Sequence, residues 1–73
     1  MPVATEKQTV ADAVEEAFSD GIKKATAELF DCLITAAGDA QEEAGCRSRY
    51  ETALRTFKKG HEISGEVVSE VFP

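Results

Sequence analysis

The sequence predicts an all-α fold built on an antiparallel helical hairpin, and three observations predict it. Apolar residues recur at spacings of three and four in two long stretches, Ile22 to Ala36 and Cys46 to Phe57, which is the period of an amphipathic helix. A short polar corner at Gly38-Asp39 separates the stretches, and a short connection between two long helices makes them antiparallel neighbours. Val67 to Phe72 has strand propensity, but the chain offers no second strand for it to pair with.

The first arm carries Ile22, Ala25, Leu29, Leu33 and Ala36 on one stripe, and the second carries Cys46, Tyr50, Ala53, Leu54 and Phe57. At the corner, Gly38 suits the left-handed conformation that ends a helix. Asp39 is placed to accept from the first free amides of the next helix, with Glu42 as the far member of a capping box. Reflection about the corner sets Ile22 beside Phe57, Ala25 beside Leu54, Leu29 beside Tyr50 and Leu33 beside Cys46. Large residues then face residues that leave room for them, as close packing requires.

Upstream, residues 1–5 read as a flexible leader, and Thr5 with Gln8 or Thr9 with Asp12 offers a helix start. Val14, Phe18 and Ile22 stay in phase across Gly21. One continuous or kinked helix over 6–37 is therefore expected, with a helix-interior glycine costing about 1 kcal/mol relative to alanine. The second helix is expected over 39–59, ending at Gly60. Ser64 then caps a short C-terminal helix or tail over 64–72, which packs with the N-terminal segment at the open end of the hairpin.

The first arm is apolar over more of its circumference than one neighbour covers. Phe30 and Ile34, flanked by Ala27 and Ala37, widen its stripe, and such a helix usually has neighbours on two sides. A chain of 73 residues buries only about 60% of its unfolded surface, so association is the expected source of further stability. The expected whole is a homodimeric helical bundle, paired through the Phe30-Ile34 stripe.

Net charge is −6, which disfavours general binding to nucleic-acid backbone. The charge is uneven. Residues 1–46 hold ten acids and three bases, residues 47–59 hold five bases and one acid, and residues 60–73 hold three acids and no base. Arg47, Arg55 and Lys58 thus form a basic patch on an acidic chain. On the first helix Asp12, Glu16 and Asp20 repeat every four residues, a like-charge ladder that disfavours an isolated helix. This ladder is a solvated face or a surface for a basic partner.

No catalytic, metal or phosphate-binding signature is present. His61 is the only histidine; it lacks a neighbouring nucleophile, and with Cys32 and Cys46 it forms no metal-ligand spacing. Neither a cofactor nor an enzymatic activity is expected. Cys32 and Cys46 are equidistant from Asp39, which invites a disulfide. Packed helix axes lie roughly 8–10 Å apart, however, and a bridge wants Cα atoms within about 7 Å. Two free, largely buried thiols are therefore expected. No apolar run nears the roughly 20 residues that span a bilayer, and no basic-then-apolar leader marks secretion. A cytoplasmic protein with no membrane partner is expected.

The function these observations favour is a non-enzymatic protein–protein interaction module, acting as a regulator, adaptor or inhibitor by covering a partner's surface. Its contacts are expected at Phe30 and Ile34 or at Asp12, Glu16 and Asp20. A second reading is an acidic mimic of nucleic acid that inhibits a nucleic-acid-binding enzyme, as some phage-encoded proteins do. A third is RNA binding by the basic second arm. The hairpin length and the spacing of Tyr50, Leu54 and Phe57 resemble the small dimeric Rop proteins, which bind paired RNA loops. The likeness covers the hairpin alone and carries over no binding residues.

Overall fold

A computed structural model describes residues 5–73. They form two α-helices, α1 (Glu6–Ala36) and α2 (Ala40–Val71), folded against each other as an antiparallel hairpin. Thr5 caps α1, its hydroxyl accepting from the Gln8 amide at 3.1 Å. The other four residues of the expected leader lie outside the described residues. Helix α1 runs through Gly21 without a break. The ring of Phe57 lies against Gly21, so close that a Cβ there would come within 2.6 Å of it.

The corner forms as the capping chemistry dictates, with one shift. Ala37, not Gly38, is the left-handed residue that ends α1 (φ 51°), its amide donating to the Leu33 carbonyl at 3.2 Å. Gly38 follows, also at positive φ (86°). Asp39 caps α2, its carboxylate accepting from the Glu42 amide at 2.9 Å. The return half of a capping box is replaced, because the Asp39 amide donates to the Ala36 carbonyl.

The expected end of the second helix at Gly60 is corrected. Helix α2 continues through Gly60, His61 and Gly65 to Val71, and no separate terminal helix exists. The reason is packing across the pair. His61, Ser64 and Val68 extend the half-buried line of Ala53 and Phe57 at helical spacing, so two glycine penalties are outweighed by contact with α1. The open end is not closed by a tail. It is simply the far half of a longer hairpin, in which Phe18 and His61 meet with ring centroids 4.7 Å apart.

The free thiols are corrected too. Cys32 and Cys46 are joined by a disulfide, with Cα atoms 5.8 Å apart. Small residues allow this approach. Ala25, Ala36 and Cys46 are the only buried residues among those described, and Gly45 beside them is half-buried without a side chain. Farther along, the Tyr50 hydroxyl meets the Thr26 hydroxyl at 2.9 Å. Thr26 already donates to the Ile22 carbonyl, so Tyr50 is the donor between them.

The result is a single layer of helix, with Cα extents of 55 × 24 × 9 Å. Among the described residues no side chain larger than cysteine is buried. None of the described helices is long and apolar enough to cross a membrane.

Candidate functional site

The hairpin leaves large apolar side chains uncovered. Phe30 and Ile34, one turn apart on α1, are 60% and 76% exposed. Each follows by one residue a leucine, Leu29 or Leu33, that lines a shallow groove with Ala40, Ala44 and Tyr50. The first arm's second stripe is therefore not covered by any part of this hairpin. A second apolar groove lies in the open half, where Val10, Ala13 and Ala17 face Thr56, Gly60 and Ser64. Ile63, Val67 and Val71 are exposed on α2 in the same half.

The charges fall into bands along the long axis, because the cross-helix contacts fix the register. Cys32 bonds Cys46, Gly21 abuts Phe57, and Glu15 meets His61. Residues 5–20 and 60–73 therefore share the open end, where eight acids stand against one base. Residues 21–27 and 51–59 make a middle band of five bases and one acid. Asp12 and Glu16 thus lie near the level of Glu62 and Glu66, while Asp20 falls at the edge of the middle band beside Lys58. Asp12 accepts from the Gln8 side-chain amide at 2.8 Å. Arg47 pairs with Glu51 on its own helix at 3.1 Å, and none of Arg47, Arg55 and Lys58 pairs with Asp12, Glu16 or Asp20.

His61 sits in mid-helix rather than in a surface turn. Its Nε2 lies 2.6 Å from a Glu15 carboxylate oxygen, a polar tie between the helices that the spacing along the chain did not signal. Cys32 and Cys46 are in the other half, bonded to each other. Near them, Arg49 donates from Nη2 to the Cys32 sulfur at 3.4 Å. That contact was not anticipated from sequence, although the reflection about Asp39 sets Arg49 within a turn of Cys32. No family model, curated protein or solved structure matches the chain.

Proposed function

We propose that this chain is a non-enzymatic helical interaction module. It pairs with a second copy through Phe30 and Ile34 and acts as a regulator, adaptor or inhibitor by covering a surface of another protein. The observation that carries this reading is the missing second layer. Stable domains pack two layers around a core, whereas this one is 9 Å thick in Cα extent with no large side chain buried. A compact protein of this mass would expose roughly 4,400 Å²; the chain exposes 5784 Å². The excess is on the order of 1,000 Å² per copy, more than the roughly 800 Å² each partner contributes to a standard stable interface. With Phe30 and Ile34 covered, the acidic open end stays outward and suits a partner with a basic surface.

Light scattering after size exclusion tests the pairing. The expected mass is that of a dimer for the native chain and of a folded monomer for Ile34→Asp. A native chain that stays monomeric at high concentration sinks the self-pairing. A dimer that persists in Ile34→Asp moves the interface to the groove of Ala13, Ala17 and Gly60. The acidic-mimic reading has one supporting observation, the eight acids that both helices bring to the open end. It predicts that Asp12→Lys with Glu16→Lys abolishes inhibition of a nucleic-acid enzyme, while Ile34→Asp leaves it intact. The cytoplasm is the compartment this reading takes for the chain. The disulfide pulls the other way, since such bridges persist chiefly in oxidising compartments.

A further inference from the structure

We infer that the Cys32–Cys46 bridge is a thiol–disulfide exchange site, with Cys32 as the sulfur that forms the mixed disulfide and Cys46 as the sulfur that resolves it. The co-reactants are low-molecular-weight thiols and their disulfides. The inference rests on an asymmetry between two sulfurs that share one bond. Cys46 is 3% exposed, whereas Cys32 is half-buried. Both cysteines border two shallow grooves, in which Arg49 is the only base. Its guanidinium lies 3.4 Å from the Cys32 sulfur. Arg49 takes part in no ion pair, across the helices or along its own, among the described residues, so its charge is available to a Cys32 thiolate. Glu28, Asp31 and Glu42 border the same grooves and oppose that thiolate; among the described residues no carboxylate is paired with Arg49 to cancel its charge.

Each step balances. In the oxidising direction the Cys32 thiolate attacks a small disulfide, RSSR, forming Cys32–S–SR and releasing RS⁻. The Cys46 thiol then loses its proton to water and attacks the Cys32 sulfur of that mixed disulfide. The internal bridge closes and a second RS⁻ leaves, so two cysteine thiols are oxidised and one RSSR is reduced. The reducing direction retraces these steps. RS⁻ reaches the accessible Cys32 sulfur, and Cys46 departs as thiolate. A cation beside a sulfur raises its thiolate fraction and its reactivity at neutral pH, which makes Cys32 the attacker in the oxidising direction. In the reducing direction access decides, and the greater exposure of Cys32 directs RS⁻ to the same sulfur.

The test uses the full chain. Cys46→Ser incubated with oxidised glutathione should accumulate a glutathione adduct on Cys32. Cys32→Ser should form its adduct on Cys46 at least about tenfold more slowly. Comparable rates, or a faster adduct on Cys46, would overturn the assignment. Arg49→Gln in the Cys46→Ser background should slow alkylation of Cys32 by iodoacetamide at neutral pH and leave it unchanged in alkali, with Arg49→Lys restoring most of the rate. An Arg49→Gln profile that overlays its parent removes Arg49 from the site. Should either serine variant lose its helical circular dichroism, the native chain still decides. Acid-quenched partial reduction by glutathione, with fragmentation of the adduct-bearing peptide, should find the adduct on Cys32, and finding it on Cys46 overturns the proposal.

Discussion

From Ala25 to the corner, the helices meet through three buried small residues and a disulfide. Toward the open end they meet through Phe18, His61 and Val68, all of them half-buried. The same pair of helices is thus closed in one half and only lightly covered in the other. Small side chains let backbones approach until a covalent bond can span them, whereas the open half meets through larger side chains that stay half-buried. Exposed valines at positions 67 and 71 and the groove beside Ala13 and Ala17 are the consequence. Local stability should follow this division, high at the corner and low at the open end.

Removing the bridge has the largest expected effect. The bonded cysteines are 14 residues apart, and a loop of about this size is worth roughly 3 kcal/mol through the unfolded chain. At about 4–8 °C per kcal/mol for a domain of this size, reductant should lower the Tm by roughly 12–24 °C. Thermal unfolding followed by circular dichroism, at one protein concentration with and without reductant, makes the comparison. An unchanged Tm would mean that the buried alanines hold the corner without the bond.

The contact between Phe57 and Gly21 lies where the two halves join. Alanine at position 21 would gain about 1 kcal/mol of helix propensity, yet its Cβ would stand 2.6 Å and 2.9 Å from ring carbons of Phe57. Overpacking of this kind costs roughly 1–3 kcal/mol. Gly21→Ala should therefore lower stability in urea denaturation, against the propensity rule. A rise would show that the ring swings aside freely, and that the junction is as loose as the open end.

Removal of the Tyr50 hydroxyl comes next. Tyr50→Phe loses one part-buried hydrogen bond to Thr26, and about 0.5–1.5 kcal/mol with it. Thr26 keeps its bond to the Ile22 carbonyl, so the partner is not orphaned. A double-mutant cycle with Thr26→Val isolates the pair, and a coupling near zero would mean that water replaces the bond at no cost.

Much of this was legible in the amino-acid order. The period of Leu29, Leu33, Tyr50 and Phe57 foretold two facing helices, and Asp39 foretold where the second begins. The disulfide was not read, because average helix spacing was applied to a place where Ala36 and Gly45 shorten it. The continuation past Gly60 was not read either. Glycine there looks like a stop when α2 is considered alone, and only the facing line of Val14 and Phe18 explains why His61 and Val68 remain helical. Phe30 and Ile34 were singled out as surplus to one neighbour, and both are exposed in the hairpin; what, if anything, meets them leaves no mark on the period.

The smallest effect is also the one that tells an open half from an occupied one. Gly60 and Gly65 are helix-interior residues with nothing within 4 Å of an added Cβ. Alanine at each should stabilise the chain by about 0.5–1 kcal/mol, through helix propensity and a less mobile unfolded state. Gly65 serves as the reference. Gly60 borders the groove with Ala13 and Ala17, so its outcome depends on whether that groove faces water. If pairing runs through Phe30 and Ile34, Gly60→Ala and Gly65→Ala should raise the Tm alike and slow amide exchange in the open half. A Gly60→Ala variant that is destabilised, and that dissociates more readily in light scattering while Gly65→Ala does not, would mean that another copy packs against the bare backbone at Gly60. The lightly covered half would then be the interface, and the contrast between the halves would hold only for the separated chain.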